Sequence, residues 1–143
     1  MRVIRTETEI EAPPARVWAV LTDFAAYPSW NPFILEAEGT LAAGEVLTLR
    51  MTVGEGKEPQ TFTPEVLAVR ENAELRWRGA LRWSWLFNAE HSFALSTVGD
   101  GTRLVHSEVF RGVLVPLLRA TIDQTERDFR ALNAALKERV ESG

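Results

Sequence analysis

The sequence predicts an α+β domain in which antiparallel strands pack against one long C-terminal helix. Three observations carry that prediction. Residues from about 34 to 111 alternate apolar and polar side chains with period two, with turn residues at regular intervals. The tail from about 115 to 140 repeats apolar residues every three or four positions. Between the first strand and this alternating region lies a short, proline-punctuated stretch with room for only two brief helices.

In chain order, residues from about Val3 to Glu11 read as a strand ending at Ala12-Pro13-Pro14. Proline suits the first turn of a helix, where its missing N–H has no partner to lose. Helix 1 is expected from Pro14 to Thr22, with Val17 and Leu21 on one face and Trp18 beside them. Phe24 to Pro32 contains Pro28 and Pro32 and allows at most a short second helix. Leu47, Leu49, Met51 and Val53 then share one strand face, and Phe62, Pro64, Val66 and Ala68 another, across a turn at Gly54-Glu55-Gly56. A turn near Asn72 leads to Leu75, Trp77 and Gly79 on a common face. Gly99-Asp100-Gly101, between runs at about 90–97 and 102–111, is a strong hairpin signal. Six or seven strands therefore follow the two short helices. The closing helix carries Val115, Leu118, Ile122, Phe129, Leu132, Leu136 and Val140 in one stripe, opposite Asp123, Glu126, Arg127, Arg130 and Lys137. At about 1.5 Å per residue it spans roughly 40 Å, enough to cross a whole sheet.

Composition narrows the function classes. The 143 residues fit a single domain over 1–143, with 45% hydrophobic and 25% charged residues. A net charge of −4 argues against a nucleic-acid surface, which carries a basic footprint. With no cysteine, disulfides, thiol nucleophiles and cysteine-based zinc sites are all excluded. No apolar run approaches the roughly 20 residues of a membrane span, and Met1 to Glu7 lacks the apolar core of a signal peptide. A cytoplasmic protein without stable membrane insertion is the expectation. Gly54-Glu55-Gly56 lacks the lysine and following helix of a phosphate-binding loop, so no cofactor is expected.

The order of elements resembles the helix-grip fold of the START-related, Bet v 1-like (SRPBCC) superfamily, which includes polyketide cyclases and dehydrases and lipid-transfer domains. The resemblance covers essentially the whole chain. It is carried by Ile10 to Trp18, by Asp23 to Phe33, by Leu75-Arg76-Trp77, by the hairpin from Glu90-His91-Ser92-Phe93 to Asp100-Gly101-Thr102-Arg103, and by Glu108 to Gly112. It implies a curved antiparallel sheet wrapped around the C-terminal helix, with an internal cavity for a small hydrophobic ligand. The superfamily spans binders, transporters and enzymes, so function has to come from the site.

Alternation tells which side chains face that helix. His91, Phe93 and Leu95 share a face, as do Leu104, His106, Glu108 and Phe110, and the apolar members mark both faces as inner. A hairpin register that keeps both sets on one side puts His91 opposite Glu108 or diagonal to it. An inward glutamate is costly unless something hydrogen-bonds it. Two readings follow: His91, His106 and Glu108 satisfy one another as a structural network, or they form the polar end of an apolar pocket. Their spacing matches no established metal motif, and no metal is expected. The candidate ligand-binding set is Trp30, Leu49, Met51, Phe62, Trp77, His91, Phe93, His106, Glu108, Leu118, Ile122, Thr125 and Phe129. Thr125 enters because its hydroxyl interrupts the apolar stripe. Trp18 reads most simply as core, and Trp30 reads first as a structural corner and second as the shaper of one end of the cavity. Trp83 and Trp85 are expected in a loop near the cavity mouth, where a ligand, a partner or a homodimer contact would each account for them.

Three functions remain in view. The first is a module that binds, and in one version transports, a small hydrophobic or aromatic molecule. The second, implied by the resemblance, is a cyclase or aromatase in which His91 or His106 acts as acid/base and Glu108 orients it. The third is an interaction or stress-response domain that uses Trp83 and Trp85. No nucleophile–base pair or catalytic motif is present in the sequence, which favours the binding module.

Overall fold

The first strand, β1 (Arg2–Ile10), ends where Pro13 caps and Pro14 opens α1 (Pro14–Leu21). Thr22 closes α1 by donating its hydroxyl to the Trp18 carbonyl. A single 3-10 turn at Phe24–Ala26 then runs into the four-residue α2 (Tyr27–Trp30). The described residues of this computed structural model are 1–81 and 83–143. Arg82, within the expected aromatic loop, lies outside them.

Seven strands follow: β2 (Ile34–Glu38), β3 (Thr48–Met51), β4 (Gln60–Phe62), β5 (Glu65–Arg70), β6 (Glu74–Leu81), β7 (Phe87–Val98) and β8 (Gly101–Arg111). They form two antiparallel sheets, of order β1-β8-β7-β6-β5 and β2-β3-β4. The sheets meet where β4 gives way to β5. Pro64 has no N–H for the ladder and interrupts the strand there. Hydrogen bonds from Leu47 N–H to the Pro64 carbonyl (2.9 Å) and from Val66 N–H to the Glu45 carbonyl (2.8 Å) carry the pairing across the break. The result is one curved wall with a corner at Pro64.

Two turns follow from their residues. Asn72, between β5 and β6, has φ +63°, a left-handed value that asparagine tolerates better than most residues. Gly99, with φ +60°, turns β7 into β8 in two residues. That turn fixes the register, and His91 lies opposite Glu108. On β5 the expected alternation fails. The register shifts between Val66 and Ala68, so Val66 pairs with Trp77 but Val69, not Ala68, follows it toward the core.

A second 3-10 turn (Val115–Leu118) leads into α3 (Arg119–Ser142). Its 24 residues span about 36 Å. Ile122, Phe129, Leu132, Leu136 and Val140 are buried against the sheet, with Asn133 among them. The helix is clasped to β1 by Arg2 with Asp123 and by Lys137 Nζ donating to the Glu9 carbonyl (2.8 Å). Among the described residues no helix is long and apolar enough to cross a membrane.

Candidate functional site

Under the N-terminal part of α3 the sheet and helix part, leaving a cavity of about 210 Å³. Leu49 and Met51 of β3, Phe62 of β4 and Pro64 line the side at the corner; Trp77 and Gly79 of β6 form the middle. Phe87, Ala89 and His91 of β7 and Glu108 and Phe110 of β8 form the far side, with Phe33 at one end and Thr121 and Thr125 on the helix. The C-terminal part of α3 carries bulky apolar side chains into the sheet, whereas Thr121 and Thr125 are small. Thr125 donates its hydroxyl to the Thr121 carbonyl (2.9 Å), which occupies its proton but leaves its lone pairs toward the cavity.

Seven of the thirteen sequence candidates line this cavity: Leu49, Met51, Phe62, Trp77, His91, Glu108 and Thr125. The other six do not. Trp30 packs edge-on against Tyr27 at 5.3 Å and shapes the α2 corner. Phe93, Ile122 and Phe129 are fully buried in the core behind the cavity. Leu118 sits in the turn ahead of α3. His106 lies one layer deeper than His91, sandwiched with Phe129 at a ring separation of 3.7 Å. Sequence reasoning missed Thr52 and Val53, because β3 ends at Met51 and three consecutive residues then reach the cavity. It also left Phe87 and Ala89 out, although they continue the His91 face, and Thr121, one turn ahead of Thr125. Thr52 Oγ1 is buried without a hydrogen-bond partner among the described residues and adds a further polar point to the wall.

The two histidines are joined directly, His91 Nε2 to His106 Nε2 at 2.6 Å, and His106 Nδ1 meets Asn133 Oδ1 at 2.8 Å. Asn133 in turn donates to Thr6 Oγ1 (2.8 Å), and Thr6 donates to the His106 carbonyl (2.9 Å). Burial keeps both imidazoles neutral: it drives His106 down to about 3 against the support of Asn133, and His91 well below its ordinary range with the help of His106. The expected network of His91, His106 and Glu108 is therefore a network of His91, His106, Asn133 and Thr6. Glu108 stands outside it, with no hydrogen-bond partner among the described residues.

Glu108 retains some exposed area because its carboxyl opens onto the cavity, yet protein surrounds it. Burial raises its pKa to about 8, so it is protonated at neutral pH and offers an O–H. Trp77 and Phe93 pack on His91 at 4.7 and 4.9 Å and hold that ring in place. Among the described residues no group of three or more histidine or acidic side chains is arranged to hold a metal ion. Trp83 and Trp85 stack at 5.9 Å in the turn between β6 and β7, half exposed or more. The cavity-lining Leu81 and Phe87 flank that turn, which is tied to the start of the last loop by the Val113 N–H to Trp85 carbonyl bond (3.2 Å).

A sequence profile described as polyketide cyclase/dehydrase and lipid transport matches residues 1–141. Solved structures share the fold across nearly the full length. The Zhui aromatase/cyclase of a Streptomyces species is 19% identical, with a TM-score of 0.75 over 98% of this chain and 93% of that one. A START superfamily protein from Mycobacterium smegmatis is 23% identical, with a TM-score of 0.73 over 98% and 97%. Ara h 8.0201 is 17% identical, with a TM-score of 0.75 over 99% of both chains. Among curated proteins none matches the sequence.

Proposed function

Because the chain belongs to the polyketide cyclase/dehydrase and lipid transport family, we propose that its cavity binds a small, uncharged, predominantly apolar ligand of one or two rings. One observation carries this reading: an apolar cavity of about 210 Å³ between sheet and helix, walled by rings and touched by few polar groups. An apolar cavity of roughly 150 Å³ takes up benzene, so this one suits a fused pair of rings. A sterol or a long acyl chain exceeds it. Burying such a ligand gains roughly 25 cal/mol for each Å² removed from water.

A catalytic reading rests on Glu108. A carboxyl that keeps its proton at neutral pH is a general acid in waiting, as a cyclase- or dehydrase-like reaction requires. In that case a dehydration releases a compound lighter by one water, and a cyclisation releases an isomer of unchanged mass and altered chromatographic retention.

The test uses the protein and a library of one- and two-ring aromatics, fatty acids and sterols, with retained and released compounds identified by mass spectrometry. Retention of unaltered small aromatics supports the binding module, and loss of water from a retained compound supports the enzyme. Gly79→Leu is the control. Among the described residues a Cβ at Gly79 meets only Pro64, at 3.9 Å, so the new side chain grows into the cavity and not into their backbone. The variant folds and loses the ligand. Undiminished retention in Gly79→Leu refutes the cavity as the site.

A further inference from the structure

The far wall of the cavity has a hydrogen-bond polarity set by residues that do not line it. The Thr6 hydroxyl donates to the His106 carbonyl, and a carbonyl can only accept, so that proton is committed. Thr6 Oγ1 must then accept from Asn133 Nδ2, which fixes the Asn133 amide with Oδ1 toward His106. Oδ1 also only accepts, so His106 Nδ1 carries the imidazole proton. Neutral imidazole has one N–H, which leaves His106 Nε2 bare. His91 Nε2, 2.6 Å away, must donate to it. The proton of neutral His91 is thereby used, and its Nδ1 is a bare acceptor with no partner among the described residues.

Directly across the ladder from His91 stands Glu108, lining the same cavity and also without a partner among the described residues. Opposed residues on one face have Cβ atoms about 5 Å apart. The wall thus presents one fixed acceptor and one carboxyl donor side by side, inside a chamber of aromatic and aliphatic side chains.

We infer that His91 Nδ1 and Glu108 form a subsite for a phenolic hydroxyl, which donates to the imidazole while accepting from the carboxyl. This rests on the binding reading above and narrows it to ligand class. A hydroxyl has one proton and two lone pairs, so it is the smallest group that satisfies both partners. A ketone oxygen satisfies Glu108 alone, a carboxylate has no proton for His91, and an ammonium has nothing to accept the Glu108 proton. The ring that bears the hydroxyl fills the space between Trp77 and the helix. Thr6 and Asn133 are positioning residues: through His106 they set which nitrogen of His91 carries the proton, and so leave Nδ1 as the acceptor.

Calorimetric titration of the protein with 2-naphthol, 2-methoxynaphthalene and naphthalene tests the assignment, because the three share a ring system. The expected result is 2-naphthol binding roughly tenfold more tightly than 2-methoxynaphthalene, whose ether oxygen can only accept from Glu108, and more tightly still than naphthalene, which makes neither hydrogen bond. In Glu108→Leu the advantage over naphthalene falls by roughly tenfold, to what the bond to His91 supplies, while naphthalene still binds. Nitrogen-15 NMR of the unsubstituted protein, which needs no variant to fold, should show His91 Nδ1 unprotonated and shifting when 2-naphthol is added. Equal affinities for all three compounds, or a protonated Nδ1 on His91, would overturn the subsite while leaving ring binding intact. If none of the three binds, the subsite and the binding reading fall together.

Discussion

Replacing Glu108 by glutamine should make the protein more stable at neutral pH, an unusual outcome for a substitution in a functional cavity. In the unfolded chain this carboxyl titrates near 4.5, and in the folded protein burial raises it to about 8. Between those values the folded state holds a proton that the unfolded state has lost, so stability falls as pH rises through that window. Each unit is worth about 1.4 kcal/mol, which makes the penalty at pH 7 about 3 kcal/mol. The groups around the carboxyl do not offset it. Ile4 lies opposite on β1, neutral His91 on β7, and Thr121 and Thr125 across the cavity on α3. Glutamine keeps the shape and polarity and removes the titration. Urea unfolding of both proteins should show the variant ahead by about 3 kcal/mol at pH 7, with the gap closing to near zero at pH 4.5. A melting shift of about 6–12 °C accompanies it. The histidines affect both proteins alike and cancel in the difference. A gap that does not change with pH, or a wild-type protein that is the more stable at pH 7, would refute a protonated Glu108.

Three further outcomes follow from neighbouring contacts. The neutral His91–His106 pair, enclosed by Trp77, Phe93, Phe129 and Asn133, makes the protein acid-sensitive. Below the ordinary histidine range the unfolded state gains protons that the folded state refuses, so each pH unit costs about 1.4 kcal/mol per histidine; for His106 this continues down to about 3. In Glu108→Gln the urea midpoint should therefore fall steadily below pH 6.5, and a flat profile there contradicts the neutral pair. Asn133→Ala strips a partner from both His106 Nδ1 and Thr6 Oγ1 and should cost about 2–5 kcal/mol, read from urea unfolding at pH 7. Gly112→Ala should cost more than about 2 kcal/mol, because its φ of +119° is strained for alanine and its Cβ would sit 2.5 Å from the Leu86 carbonyl oxygen. The damage would appear first as faster hydrogen exchange in the turn that carries Trp83 and Trp85.

Alternation and turn chemistry made one side of the site legible and left its depth hidden. The β7–β8 hairpin was readable because a two-residue turn at Gly99 fixes the register, and one fixed register sorts every side chain onto a face. Phe93 and Leu95 on one strand and Leu104 and Phe110 on the other mark the inner faces, which places His91, His106 and Glu108 inward from sequence and leaves two registers, of which the structure shows the one with His91 opposite Glu108. Alternation has no term for depth, however. His106 and Glu108 are two residues apart on one face, yet one stacks on Phe129 in the core and the other faces the cavity. The difference is made by α3, where Phe129 packs tightly against the sheet and the smaller Thr121 and Thr125 do not. The bulge between Val66 and Ala68 defeated period-two reasoning for the same kind of cause, since one inserted residue reverses every face beyond it. Asn133 did leave a signal. A buried amide four residues after Phe129 and next to Leu132 breaks an apolar stripe and demands partners. The sequence shows that demand but not its answer, because Thr6 lies 127 positions away and meets Asn133 only once β1 has paired beside β8. The chemistry of the cavity therefore depends on a contact between the two ends of the chain.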